Sequence, residues 1–214
     1  MIRSFPYRLY LVTDEAACLG RDFFWVVEEA IKGGVDVIQL REKNLNEEAF
    51  YLKAKSLKVI CQKYNVPLII NDSVDVAKAV GADGIHVGQS DMSISTVINR
   101  VGDMIPVGLS LDYLEELYAE DANDAWYYGV SPIFSTPTKS DTRAVWGLEG
   151  LQALRKLTEK KLVAIGNVKV ENAAEIIAAG ADCLAVVSAI CSADDPAHAA
   201  KALKKEIDRG LKKS

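Results

Sequence analysis

Short apolar runs alternate with longer amphipathic stretches along the whole chain. Arg8-Leu9-Tyr10-Leu11-Val12 precedes a helical pattern over 22–32, and the run 35–40 precedes one over 46–64. The run 67–70 is followed by a short helix over 73–80. Gly84-Ile85-His86-Val87 is followed by a helix over 93–101, and Pro106-Val107-Gly108-Leu109 by one over 111–122. Trp126-Tyr127-Tyr128-Gly129-Val130 leads into a long polar loop and a helix over 148–158. The runs 161–165 and 183–187 each have a helix behind them. The spacing therefore predicts eight strand–helix units.

Runs of four to six residues bounded by Gly, Asp and Pro and separated by helices indicate a parallel sheet. An open doubly wound sheet and a closed eight-fold barrel both accept this pattern. The count of eight favours closure. No Gly-rich dinucleotide fingerprint follows the first strand, where Thr13-Asp14-Glu15 stands, so the open nucleotide-binding sheet loses its main support. The expectation is an α/β chain folded as a single-domain (β/α)8 TIM barrel over residues 1–214, since no linker or charge block divides it.

Composition narrows the partners. Of 214 residues 50% are hydrophobic and 26% charged, which excludes intrinsic disorder. A net charge of −5 speaks against a nucleic-acid surface. No apolar run reaches membrane-spanning length and the first residues lack a signal-peptide core, so no membrane partner and a cytoplasmic location are expected. Cys18, Cys61, Cys183 and Cys191 show no metal-type spacing and read as free thiols. The sequence is compatible with a homo-oligomer without specifying one.

In a barrel the C-terminal strand ends carry the chemistry. Strand alternation puts Gln39, Arg41 and Lys43 on one face above Val35 and Val37; either two cations crowd the barrel mouth or the strand stops and they are solvated loop charges. Asp72 and Asp91 follow the third and fourth strands. They are either N-caps of the next helices or a carboxylate pair able to hold Mg²⁺ with phosphate oxygens. Ser110 ends the fifth strand. The polar loop with Thr136-Pro137-Thr138-Lys139 suits a lid over phosphate or a plain surface loop. Gly166-Asn167 and Val187-Ser188 end the last two strands, where barrels often bind phosphate. His86 reads as a packed strand residue, His198 as structural, and Tyr127 and Tyr128 as barrel wall. No Ser-His-Asp or Cys-His arrangement can be assembled.

Leu9-Tyr10-Leu11-Val12-Thr13-Asp14, Gln39-Leu40-Arg41-Glu42-Lys43, Asn71-Asp72, His86-Val87-Gly88-Gln89-Ser90-Asp91 and Thr136-Pro137-Thr138-Lys139 resemble the thiamine-phosphate synthase family. Gly147-Leu148, Ala164-Ile165-Gly166 and Val187-Ser188-Ala189-Ile190 continue the likeness in order along nearly the whole chain. The resemblance implies a Mg²⁺-dependent barrel enzyme that joins aminohydroxymethylpyrimidine pyrophosphate to hydroxyethylthiazole phosphate and releases pyrophosphate. It implies that Gln39, Arg41, Lys43, Asn71 and Lys139 hold the pyrimidine substrate, and that Asp72 and Asp91 hold the metal. It places Ser110 beside the reacting groups, and Thr136 and Thr138 on the thiazole. The thiazole phosphate would rest on Gly166-Asn167 and Val187-Ser188. Arg41, Lys43, Ser110 and Lys139 would be catalytic, stabilising the departing pyrophosphate without an enzymic nucleophile.

Three features depart from the family pattern. Asn167 stands for a second Gly, Leu111-Asp112 for a polar residue and His, and Ser131 for Gly. Asn enters the left-handed region readily, so the phosphate turn is expected to survive. The missing His after the fifth strand argues against the related thiazole tautomerase. A tautomerase-like paralogue and a silent barrel that only binds thiazole phosphate are the two alternatives.

Overall fold

The computed structural model describes residues 4–135 and 145–213. Its strands are β1 (Leu9–Val12), β2 (Val37–Leu40), β3 (Leu68–Asn71), β4 (Gly84–Val87), β5 (Val107–Leu111), β6 (Tyr128–Val130), β7 (Leu162–Ile165) and β8 (Cys183–Val186). They pair in parallel in chain order and β8 returns to β1, giving the closed TIM barrel expected from the sequence. The helices are α1 (Phe23–Lys32), α2 (Glu47–Lys63), α3 (Val74–Val80), α4 (Ile94–Val101), α5 (Gly147–Leu157), α6 (Val170–Ala178), α7 (Ser188–Cys191) and α8 (Pro196–Leu211). Among the described residues no helix is long and apolar enough to cross a membrane.

Closure sends alternate side chains inward. Tyr10, Val12, Val37, Ile69, Tyr127, Val163, Cys183 and Ala185 form the inner cluster with Phe5 and Trp126. Their neighbours Leu11, Ile38, Ile70 and Tyr128 face the helices in the larger outer core. The bulky inner rings fit because small residues face them. A Cβ on Gly108 would lie 2.3 Å from Tyr127 Cζ, and one on Gly84 would lie 3.1 Å from Trp126 Cζ3. Phe5 closes the N-terminal end, its ring centroid 4.6 Å from that of Tyr127 and 5.1 Å from that of Trp126.

A repeated turn secures that end. Gly34-Val35-Asp36, Gly81-Ala82-Asp83 and Gly180-Ala181-Asp182 each join a positive-φ Gly, a buried apolar residue and an Asp before a strand. Asp36 Oδ2 accepts the Leu9 N–H at 2.9 Å, Asp83 Oδ2 the Leu68 N–H at 2.8 Å, and Asp182 Oδ2 the Leu162 N–H at 3.0 Å. Each carboxylate also binds a helix cation: Lys204, Lys58 and Arg155 respectively. Every buried strand-end amide so served avoids the cost of an unmet donor.

The chain ends meet at α8. A Cβ on Gly33 would lie 2.4 Å from the Ala197 carbonyl oxygen, and one on Gly210 2.7 Å from that of Ala174. These two glycines let α8 seat against α1 and α6. Arg21 adds a tie at the opposite rim, donating to the carbonyls of Cys18 at 3.0 Å, Cys191 at 2.5 Å and Ala193.

Two expectations fail. The segment 111–122 contains no α-helix but 3-10 turns at Leu114–Tyr118 and Ala122–Asp124. Asp112, Glu115, Glu116, Glu120 and Asp121 fall in this segment, whose sequence contains no Lys or Arg, so a longer helix would stack like charges. Glu116 also captures the Asp112 and Tyr113 amides at 2.6 and 3.1 Å, favouring a tight turn. Second, β2 begins at Val37, and Val35 joins the outer core rather than lying beneath Val37 on the inner face.

Replacing Gly108 by Ala should lower unfolding free energy by about 1–3 kcal/mol through overpacking against Tyr127. Gly150→Ala, where the added carbon meets Trp146 at an ordinary 3.4 Å inside α5, should raise it by about 0.5–1 kcal/mol. Urea unfolding midpoints of the two variants measure both.

Candidate active site

The C-terminal strand ends surround a cavity of about 880 Å³. Gln39, Arg41, Lys43, Asn71, Asp72, Asp91, Ser110, Gly166, Asn167, Val187 and Ser188 all line it. The strand alternation that packs the core also aims Gln39, Asn71 and Ser110 inward, at the last turn before solvent. Gln39 and Asn71 are buried at 4% and 7% exposure, while Arg41 is half-buried and Lys43 exposed. Strand β2 has stopped by Arg41, yet both cations still border the cavity. Thr13 helps to hold that bend: its Oγ1 accepts the Arg41 N–H at 3.3 Å, and its own N–H donates to the Gln39 carbonyl at 2.9 Å.

The capping reading of Asp72 and Asp91 fails, because serines perform that task. Ser73 Oγ accepts the Val76 N–H of α3 at 3.2 Å, and Ser93 Oγ the Thr96 N–H of α4 at 3.3 Å. Asp72 has φ 62°, a left-handed conformation, with Ser73 N–H closing back onto the Asn71 carbonyl at 2.7 Å. That turn directs its carboxylate toward the cavity, where Oδ2 accepts from Lys43 Nζ at 2.6 Å. Asp91 is fixed by the Gly88 N–H, which donates to its Oδ2 at 2.8 Å. Burial raises the Asp72 pKa above the ordinary carboxylate value; the Lys43 bond opposes this and the facing Asp91 adds to it.

Asp91 faces an Asp72 that has one lysine partner, so the pair carries a negative surplus that a cation would relieve. Among the described residues no cluster of three or more His, Cys, Asp or Glu could hold a metal ion. A two-carboxylate pair suits an ion that completes its shell with water and phosphate oxygens, as Mg²⁺ does, and suits a fully protein-ligated metal poorly.

The last two strand ends supply backbone rather than charge. Gly166 has φ 111°, and a Cβ there would lie 2.6 Å from Pro132 Cβ, so only Gly permits the β6 loop to pass. Asn167 takes φ 52°, the left-handed conformation expected of it, and its carbonyl accepts from Asn172 Nδ2 at 3.0 Å. Thr136, Thr138 and Lys139 lie outside the described residues. The chain on either side of them is tied down: Phe134 N–H donates to the Gly166 carbonyl at 3.2 Å and Trp146 N–H to that of Pro132 at 3.0 Å.

Sequence reasoning assigned Gln39, Asn71 and Ser110 to the site but missed two other inner polar side chains. His86 is not simply packed within the wall. It lines the cavity, stacks on Tyr127 with ring centroids 5.6 Å apart, and bonds Ser110 Oγ through Nε2 at 2.9 Å. Tyr127 also faces inward, whereas Tyr128 does belong to the outer core, donating to the Ala122 carbonyl at 3.0 Å. Alternation carried through β4, β5 and β6 would have revealed His86, Ser110 and Tyr127 on one face. Lys169 and Ser131 are further lining residues that the reading did not assign.

A profile of the family described as "Thiamine monophosphate synthase" matches residues 9–190. The thiamine-phosphate synthase of Albidiferax ferrireducens is 47% identical over 97% of this chain and 94% of its own length. That of Leptospira biflexa is 44% identical over 93% and 97% respectively. The solved structure of a thiamine phosphate pyrophosphorylase from Pyrococcus furiosus superposes with a TM-score of 0.87 at 34% identity, covering 96% of this chain and 98% of that one.

The folded protein binds the Asp72 proton more tightly than the unfolded chain does, so stability falls as pH rises through the carboxylate range. Asp72→Asn should therefore raise the unfolding free energy of the metal-free protein by about 1 kcal/mol at neutral pH. The half-exposed Lys43 pair that it loses is worth less. Urea unfolding near pH 7 and again near pH 3, where both side chains are neutral and the difference should vanish, measures this.

Proposed function

The chain belongs to the thiamine monophosphate synthase family, and on that premise we propose the reaction its cavity carries out. It is a transferase of the thiamine-phosphate synthase type, acting on small molecules. The proposed substrates are 4-amino-2-methyl-5-hydroxymethylpyrimidine pyrophosphate and hydroxyethylthiazole phosphate. The bond between the pyrimidine methylene carbon and the pyrophosphate oxygen breaks, and its electron pair leaves with pyrophosphate. The thiazole nitrogen lone pair then forms the carbon–nitrogen bond. No proton is removed and no enzymic nucleophile is needed.

One observation carries the reading: Arg41, Lys43, Asp72, Asp91 and Ser110 converge on the rim of one cavity beside two backbone turns. Arg41 and Lys43 offset the growing charge of the pyrophosphate, with Lys139 assigned the same task. Ser110 donates to a leaving-group oxygen. Gln39 and Asn71 orient the aminopyrimidine, whose electron-rich ring stabilises the cationic carbon. Thr136 and Thr138 contact the thiazole, and the turns at Gly166-Asn167 and Val187-Ser188 take its phosphate through backbone N–H groups. Asp72 and Asp91 would hold Mg²⁺, whose charge neutralises pyrophosphate oxygens when bound. The residues orient and stabilise rather than attack, which is how preorganised electrostatics accelerates charge separation.

The enzyme incubated with both substrates should form thiamine phosphate and pyrophosphate in equal amounts, and only when Mg²⁺ is supplied. Binding of the thiazole phosphate without product would leave a silent barrel. Arg41→Ala should lower kcat about 10²–10³-fold, a loss of about 3–4 kcal/mol of transition-state stabilisation. Its urea midpoint should stay near that of the parent, because the half-buried side chain faces the cavity. Steady-state kinetics and unfolding curves on the same preparation separate the two effects.

A further inference from the structure

A hydrogen-bonded chain crosses the barrel interior from β2 to β5. Gln39 Nε2 donates to Tyr10 OH at 2.8 Å, and Tyr10 OH meets Tyr127 OH at 2.9 Å. Tyr127 OH meets His86 Nδ1 at 3.0 Å, and His86 Nε2 meets Ser110 Oγ at 2.9 Å. Both tyrosines are buried, at 1% and 0% exposure, and burial pushes both phenol pKa values up. Each phenol therefore keeps its single hydrogen and gives it to one acceptor.

The directions in such a chain are linked. A hydroxyl carries one hydrogen, and a neutral imidazole carries one N–H. With the Gln39 amide nitrogen donating to Tyr10, the Tyr10 hydrogen goes to Tyr127 and the Tyr127 hydrogen to Nδ1. The His86 proton then sits on Nε2 and is donated to Ser110 Oγ. Ser110, already accepting there, keeps its own hydrogen for the cavity. Run in reverse, the chain needs the Gln39 amide oxygen against Tyr10 and an Nδ1–H imidazole. Ser110 would then give its hydrogen to Nε2 and turn only lone pairs toward the cavity. An anionic oxygen is stabilised by the first arrangement and repelled by the second.

We propose that Tyr127 is a positioning residue: backed by Tyr10 and Gln39, it holds His86 in the Nε2–H tautomer and thereby presents Ser110 Oγ–H to the cavity as a donor. The consequence for turnover rests on the pyrophosphate-releasing reading above, in which Ser110 donates to the leaving group. The tautomer itself does not depend on that reading.

The protein has two histidines, His86 and His198, so ¹⁵N-histidine labelling gives two rings, and His198→Gln assigns them. Two-bond ¹H–¹⁵N spectra of the substrate-free enzyme should show His86 as a single Nε2–H tautomer with its Nδ1 resonance displaced as a hydrogen-bond acceptor. Tyr127→Phe should abolish that displacement and populate the second tautomer. Tyr10→Phe, which leaves the Tyr127–His86 contact in place but removes the donor that sets its direction, should populate the second tautomer to a smaller extent than Tyr127→Phe does. An Nδ1–H ring or an imidazolium in the parent, or an unchanged Nδ1 resonance in folded Tyr127→Phe, overturns the proposal. In turnover, Tyr127→Phe should cost about tenfold in kcat in the parent and less than about twofold once Ser110 is already Ala. A full tenfold cost in the Ser110→Ala background overturns the action through Ser110. A parent that shows the Nε2–H ring but no turnover with both substrates and Mg²⁺ counts against the proposed reaction alone.

Discussion

Closing eight parallel strands on themselves commits every second side chain to an interior that opens to solvent at one end only, and the rest of the molecule answers to that constraint. At the closed end the space is filled by Phe5, Trp126 and Tyr127, which fit because Gly84 and Gly108 yield the room. Toward the open end the same inward positions carry Gln39, Asn71, His86 and Ser110. Polar groups at that depth are tolerated only when they bond to something. The hydrogen-bonded series from Gln39 to Ser110 meets this condition, so interior packing and site geometry are settled by one set of side chains.

The two ends of the barrel treat charge in opposite ways. At the N-terminal end Asp36, Asp83 and Asp182 each bind a strand amide and a helix cation, so every carboxylate has complementary partners. At the C-terminal end Asp72 and Asp91 face one another, Lys43 bonds Asp72 alone, and Asp72 is held in a left-handed backbone conformation. Stability is concentrated where nothing has to bind. Unresolved electrostatics and local strain lie where a ligand and a cation can relieve them.

The strand–helix alternation was legible because each buried strand is a bounded apolar run, and the charged strand ends were legible because they interrupt such runs. The helix expected over 111–122 does not form, since apolar spacing carries no information about the five carboxylates repelling one another there. The capping reading of Asp72 and Asp91 could not be judged from order alone; Ser73 and Ser93 bond the helix amides in their place. His86 and Tyr127 were misjudged for a different reason. An inward polar residue inside an apolar strand looks the same in sequence whether it meets a hydrophobic wall or another polar group, and only closure brings β4, β5 and β6 together. The Gly-x-Asp turns repeat visibly, at positions 34, 81 and 180, but their meaning depends on which strand amide lies alongside.

The tie between the chain termini bears on how the protein is made. Strand β1 finds one of its two neighbours in β8, so Leu9 and Leu11 align with Leu184 and Val186, and Asp36 waits for Lys204. A ribosome delivers these partners after the first seven strands. Until then the growing polypeptide exposes the free edge of β1, which is the kind of surface on which nascent chains associate with one another. Strand β8 covers that edge and α8, seated on α1 and α6, then latches it, so the vulnerable interval lasts until the eighth unit has emerged from the exit tunnel.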